Sequence, residues 1–163
     1  MPQSNIKIRT AIKNDIEAIN HVIEATVMSW TLAERVKRLS LSSYRYSEVD
    51  FNHLAMVVVE DEKQNLLGVA AWELADAKDS PKEHSALLLH GLYVNPAHHH
   101  QGIGRQLFKI AEQAAHKLHC DGLLVKAQPD ANAFFVAQKM EKIQLEDTSH
   151  HYKNLFWKTI NKH

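Results

Sequence analysis

From Leu87 to Phe108 the chain reads LLLHGLYVNPAHHHQGIGRQLF: an apolar run, a short polar segment with two glycines, and the start of a helical pattern. Residue types in this order suit the binding of an anion. The first backbone N–H groups of a helix have no partner within it and carry the positive end of its dipole. Gly102 and Gly104 would let a ligand approach that backbone closely, and a diphosphate fits such a place. No Asp or Glu stands between Val94 and Ala111, although helix starts are commonly acidic. Arg105 has the wrong sign for a dipole partner and the right sign for a phosphate. A phosphate-bearing ligand is therefore expected over Gln101 to Arg105.

Two elements must hold this segment. The apolar run ending in Leu92, Tyr93 and Val94 predicts a buried strand, stopped by Asn95 and Pro96 because proline cannot donate to a ladder and restricts the residue before it. Ile103, Leu107, Ala111, Ala114 and Leu118 recur at helical spacing and predict a helix with one face to the core. Two common phosphate motifs do not fit. A dinucleotide-binding fingerprint needs a third glycine where Leu107 stands, and a P-loop needs Gly-Lys followed by Ser or Thr.

The segment resembles instead the acetyl-CoA-binding motif of the GNAT-type N-acetyltransferase superfamily: Arg or Gln, two residues, Gly, one residue, then Gly or Ala, after a strand ending Leu-Tyr-Val and a proline. His99 takes the first position, Gly102 and Gly104 the glycine positions, and Gln101, Ile103 and Leu107 are usual residues. His99 for Arg and His100 for a frequent Gly are departures, which would make side-chain help to the phosphates depend on pH. A weaker echo lies at Ala131, Phe134 and Phe135, similar to the family's Ala, two residues, Phe, then Tyr or Phe. The resemblance places Gln128 where many members have a cofactor-contacting Asn. It implies acetyl-CoA as co-substrate, no metal, and cofactor contacts from Leu92, Tyr93, Val94, His99, His100, Gln101, Gly102, Ile103, Gly104, Arg105, Gln128, Phe134 and Phe135.

Acetyl transfer to an amine needs a neutral nucleophile, a polarised carbonyl and a tolerable leaving group. The resemblance implies that the Leu92 backbone N–H polarises the thioester. Such a donor contributes on the order of 3 kcal/mol. Gly91 beside it fits a bulge or a close backbone approach, or simply relieves crowding. For the base, the strand Glu of many relatives corresponds to Leu88, which leaves His90 as the nearest titratable residue and Glu73 on the preceding strand as the other candidate. Where the family often has a tyrosine acid, this chain has Phe135, read as a wall against the pantetheine arm. Tyr93 and Tyr152 are other possible donors that nothing in the sequence selects. A thiolate whose parent thiol has a pKa of about 8.5 leaves without much help.

Three consecutive residues, His98, His99 and His100, cannot all reach one ion from regular structure, and no Asp, Glu or Cys is close. A solvated loop is the expectation for them, and likewise for His150 and His151. Cys120 is expected to be a small core residue, and Trp30, Trp72 and Trp157 to pack in the core.

The rest of the chain predicts a strand at Lys7 to Ala11 and a helix through Ile16, Ile19, Ile23, Val27 and Trp30, opened by a capping box of Asn14 and Glu17. A second helix, capped by Thr31 with Glu34, runs through Leu32, Val36 and Leu39. Ser40 to Asn52 is a loop or short broken helix. Met56–Val59 and Leu66–Leu74 form an antiparallel hairpin, and a polar loop covers Asp76 to Lys82. After the central helix come a strand at Leu123–Ala127, a helix from Pro129 and Asp130, and closing strands at Lys142–Leu145 and Leu155–Thr159. Lys139 stands where the family has a glycine before the closing strands, which would lengthen that turn.

This order is a mixed α/β (α+β) layout that resembles the GNAT fold along nearly the whole chain: a mixed, mostly antiparallel central sheet flanked by helices, with a splayed central strand at the cofactor site. At 163 residues, one such domain (1–163) fills the length. Hydrophobic residues at 45% and charged residues at 23% are ordinary for a globular protein. Nineteen basic against nineteen acidic residues give no bulk-charge support for nucleic-acid or membrane binding. One cysteine excludes an internal disulfide framework. With neither a signal peptide nor a membrane-crossing run in view, a cytoplasmic location is expected. The function expected is acetyl transfer from acetyl-CoA to a primary amine of a small molecule. A protein N-terminus or lysine as acceptor, and an acyl-CoA sensor without catalysis, are the alternatives. The oligomeric state, a homodimer included, is left open.

Overall fold

Eleven regular elements organise the computed structural model, which describes residues 5–81, 83–143 and 154–161. They are β1 (Lys7–Thr10), α1 (Ile16–Met28), α2 (Glu34–Tyr44), β2 (Ala55–Glu60), β3 (Leu66–Leu74), β4 (Ala86–Val94), α3 (Ile103–Lys117), β5 (Gly122–Lys126), α4 (Asn132–Ala137), β6 (Glu141–Ile143) and β7 (Leu155–Thr159). The strands form one sheet in the order β1-β2-β3-β4-β5-β7-β6. It is mixed: β4 and β5 run parallel, whereas β1–β2, β5–β7 and β6–β7 are antiparallel. No helix among the described residues is long and apolar enough to cross a membrane. The chain divides into two compact units, Met1–Ala71 with Gly91–Leu107, and Trp72–His90 with Phe108–His163.

In the first unit, α1 buries Ile19, Val22, Ile23 and Val27 against Met56 and Val58 of β2, Val69 and Ala71 of β3, and Tyr93 of β4. The helix follows from its spacing of apolar residues, but its start does not follow the expected cap. The Asp15 carboxylate accepts from Ile12 N at 2.8 Å, so the entry is a 3-10 turn (Lys13–Asp15) rather than an Asn14–Glu17 box. Arg9 fixes that carboxylate with two hydrogen bonds of 2.8 and 2.9 Å, and these hold the Asp15 carboxyl below its usual range.

α2 corrects the expected cap, since its N-cap is Ala33 rather than Thr31. It continues to Tyr44 and a 3-10 turn (Glu48–Asn52) follows, so Ser40 to Asn52, expected as a loop or short broken helix, is helical in two pieces. The face of α2 is also turned. Leu32, Val36 and Leu39 are exposed, while Lys37 and Leu41 are buried. The reason is Lys37, whose Nζ donates to Met28 O at 2.8 Å, a cation placed on the last carbonyls of α1. Holding that contact brings Leu41 inward.

In the second unit Ala86 and Leu88 of β4 meet Leu124 of β5, with Trp157 and Ile143 against them. A Cβ at Gly122 would strike the Trp157 ring, so this glycine admits the indole to the sheet. Cys120 is buried, as expected. α3 buries Ile103, Leu107, Phe108, Ala111 and Ala115. Ala114 is half-buried and Leu118, beyond the helix end, is exposed, because at 100° per residue the inward stripe steps from Ala111 to Ala115. The turn before β6 is not lengthened. Lys139 itself takes the left-handed conformation (φ 69°), and Met140 N closes on Phe135 O at 3.1 Å, as a glycine would allow. β5 starts at Gly122 and ends at Lys126. Of the expected strand Lys142–Leu145, Gln144 and Leu145 lie outside the described residues, as do Lys82, His150, His151 and Tyr152.

Candidate active site

Three glycines and a short turn shape the start of α3. Asn95 ends β4, its Oδ1 accepting from Ala97 N at 3.0 Å, and a 3-10 turn (Pro96–His98) leads to His100 and Gly102, both left-handed at φ 64° and 81°. The space where a Gly102 Cβ would stand is open. Below it, Gly68 of β3 lets the helix start lie on the sheet. A Cβ there would come within 3.1 Å of Leu107 Cδ1 and Tyr93 O, and within 3.2 Å of Ile103 Cγ2. Gln106 N donates to Gly102 O at 3.1 Å, so the N–H groups of Ile103, Gly104 and Arg105 precede the first bond of the helix. Arg105 is exposed and pairs with no described residue. The chemistry of this start suits a phosphate: open, without acidic residues, lined by backbone donors.

His99 is exposed but not loose. Its Nε2 lies 3.0 Å from Val94 O; a carbonyl oxygen can only accept, so that nitrogen carries a proton. The same carbonyl accepts from Thr26 Oγ1 of α1 at 3.1 Å, a second tie between the end of β4 and its surroundings. Tyr93 is buried, and burial, with Tyr44 as a smaller cause, pushes its phenol well above the ordinary range. That makes it a poor proton donor. Leu92 is half-buried and Gly91 buried.

Of the other expected site residues, Glu73, His90, Gln128, Phe134 and Phe135 belong to the second unit. The parallel register of β4 with β5 runs from Ala86↔Gly122 to Leu89↔Val125, while β4 continues to Val94. His90, the next residue after that register, is exposed, and Glu73 is half-buried. Leu88 is buried with Ala86 and Leu124, so the position of the family's strand carboxylate is a core position here. Phe135 is buried and Phe134 half-buried. Their rings pack edge-on at 5.2 Å, with Phe108 6.3 Å from each and Phe156 5.9 Å from Phe135. Gln128 precedes a 3-10 turn and its carbonyl accepts from Ala131 N at 2.9 Å. Among the described residues no cluster of His, Cys, Asp and Glu could hold a metal ion.

The sequence reading did not find Gly68, Thr26, Asn20 or Tyr46. Asn20 and Tyr46 are joined by two hydrogen bonds of 2.8 Å, and Tyr46 reaches Gly91. Asn20 falls among polar helix positions and Tyr46 in a stretch without periodicity, so neither carried a signal. Gly68 interrupts an apolar strand, which is a recognised mark of close backbone approach.

The family model for the acetyltransferase (GNAT) family matches residues 22–140, well over half of the chain. No curated protein matches it in sequence. Among solved structures, the PaiA N-acetyltransferase from Thermoplasma acidophilum in complex with coenzyme A superposes with a TM-score of 0.73 at 14% identity, over 95% of this chain and 99% of that one. A GCN5-related N-acetyltransferase from Rhodopseudomonas palustris gives 0.74 at 16% identity, over 98% of each chain. A GNAT family acetyltransferase from Brucella melitensis in complex with acetyl-CoA gives 0.66 at 14% identity, over 98% of this chain and 90% of that one. At such identities the likeness is one of fold; the family match over residues 22–140 makes the chain a member of the acetyltransferase (GNAT) family.

Proposed function

We propose that the protein moves an acetyl group from acetyl-CoA to a primary amine of a small-molecule acceptor. The observation that carries the cofactor is the start of α3: an open left-handed glycine, Gly102, followed by the leading helix N–H groups, with Arg105 exposed in the first turn. The diphosphate is assigned to Gln101–Arg105, with His99 and His100 beside it. Leu92, Tyr93 and Val94 are assigned to the pantetheine arm by their backbone, with Gln128, Phe134 and Phe135 as further contacts. An acetyl thioester supplies an activated carbonyl, and the chain's own groups orient it. The Leu92 N–H polarises the oxygen, and His90, exposed where the β4–β5 register stops, takes the proton of the amine, with Glu73 as the other candidate.

The test is release of CoA thiol when acetyl-CoA meets a panel of small amines and of peptides with free N-termini or lysines. Release with the small amines supports the proposal. Release with peptides alone overturns the acceptor class, and binding of acetyl-CoA without release from any acceptor overturns catalysis.

A further inference from the structure

The ring of His99 is exposed, yet one bond fixes it. Nε2 lies 3.0 Å from the Val94 carbonyl oxygen at the end of β4, and the Thr26 hydroxyl of α1 donates to the same oxygen at 3.1 Å. Because that oxygen can only accept, Nε2 keeps its proton whatever the charge of the ring. Neutral His99 is therefore the Nε2–H tautomer, and the nitrogen that gains or loses a proton is Nδ1. Protonation there leaves the bond to Val94 in place and strengthens it, since a charged donor binds a carbonyl more tightly. The ring can take on charge without turning. Gln101, where the assigned diphosphate site begins, is two residues further on. Chain geometry keeps the two Cα atoms within about 7 Å of each other, inside the reach of an exposed charge at physiological salt, about 8 Å.

The groups around His99 leave its charge to a ligand. Among the described residues no carboxylate pairs with His99 or His100; the histidines in such contacts are His53 and His84. His100 stands edge-on to His99, with ring centroids 6.3 Å apart. Asp61, in the turn between β2 and β3, interacts electrostatically with His98, and its carboxylate already accepts from Asn65 N and Lys63 N. Arg105 in the first turn of α3 is exposed. Burial and, less, Tyr44 push the Tyr93 phenol above its ordinary range, so it stays neutral. We infer that His99, protonated at Nδ1, is a counter-ion of the CoA diphosphate and that binding draws this proton from solvent; this rests on the acetyl-CoA reading above. No covalent bond of the ligand changes, and one proton passes from water or buffer to Nδ1. A bound anion favours the imidazolium. By linkage, affinity is greatest where the ring is already charged and falls as pH rises through the value in the complex.

The probe is dephospho-CoA, because the 3′-phosphate of CoA has a second pKa of about 6 and would exchange protons itself, whereas the diphosphate stays ionised. Calorimetric titrations in HEPES and in Tris, buffers of different ionisation enthalpy, count the protons taken up per ligand bound. The wild type should take up a fraction of a proton at about pH 7 and bind about five-fold more tightly at about pH 6 than at about pH 8.5, the strength of an exposed ion pair. His99→Gln, whose amide can still donate to Val94 O, should lose the uptake and hold the weaker affinity at every pH. His99→Arg should lose the uptake and hold the stronger affinity. A wild type that binds dephospho-CoA without taking up a proton overturns the inference and leaves the cofactor reading intact. Uptake that survives in both variants also overturns it, by giving the proton to another group. A wild type that binds neither CoA nor dephospho-CoA overturns both readings. Should the variants fail to fold, ¹⁵N spectra of histidine-labelled wild type decide. Protonation of an Nε2–H tautomer on adding dephospho-CoA supports the inference, and unchanged ring nitrogens overturn it.

Discussion

Gly102→Ala separates a glycine that serves only the turn from one that serves a ligand. At φ 81° an alanine pays the left-handed penalty, about 1–2 kcal/mol. The added methyl meets no atom within 4 Å, so the strain is the whole structural cost. For a chain of this size a loss of 1 kcal/mol lowers the melting temperature by about 2–4 °C, which gives an expected fall of roughly 2–8 °C and a protein still folded at 25 °C. The same methyl stands in the space over the start of α3 where the diphosphate is assigned. It should separate the phosphate from one backbone donor, and a hydrogen bond to a charged group is worth about 1.5–3 kcal/mol. CoA affinity should therefore fall roughly 10- to 100-fold at 1.4 kcal/mol per decade. Thermal melts and calorimetric titration with CoA, on the same preparation, read the two effects. A variant that loses the expected melting temperature yet binds CoA as the wild type does would refute the assignment of the diphosphate to Gln101–Arg105.

Two further substitutions test the account of the scaffold. Asp15→Asn should cost about 1–2 kcal/mol at neutral pH. The deficit should close on acidification, because Arg9 holds the folded carboxyl of Asp15 below its usual value. That stabilisation is complete above the unfolded carboxylate pKa of about 3.9 and is lost as pH falls through the lowered folded value; urea melts of both proteins across pH 7 to 3 would show it. Lys139→Gly should raise stability by about 1 kcal/mol, since the turn already has the left-handed backbone that glycine adopts freely, and an unchanged or lower melting temperature would contradict that.

Much of this fold was legible because the information is local. The strand–loop–helix from Leu87 to Phe108 announces itself through an apolar run, a proline stop and glycines at a helix start, and β1, β3 and β7 lie close to where alternation and turn residues put them. Helix faces were less legible. α2 turns on a buried lysine, Lys37, whose charge reads as an exposed position until its carbonyl partner on α1 is known. The inward stripe of α3 passes through Ala115 rather than Ala114, a difference of one residue that small side chains do not report. The cap expected at Asn14 failed for another reason: Asp15 serves Ile12 N and Arg9 at once, a competition that the four-residue pattern of a capping box does not contain.

The same distinction separates what a sequence can say of a cofactor from what it can say of an acceptor. A diphosphate is recognised by backbone at a helix start, and only glycine and the absence of acid are needed in the sequence. Side chains brought together from far apart, as Asn20 and Tyr46 are across 26 positions, follow no spacing rule. The catalytic groups fall between these cases. The strand position that would carry a carboxylate is Leu88, in the core with Leu124, and the position that would carry an acid is Phe135, in a cluster of four phenylalanines. Both have been given over to packing. In the function proposed, what remains would be a backbone N–H at Leu92 to hold charge on oxygen, the exposed His90 to take a proton, and a thiolate whose parent thiol has a pKa of about 8.5 and so departs without a dedicated acid. Such chemistry would depend more on electrostatic stabilisation of the oxygen than on proton transfer to sulfur.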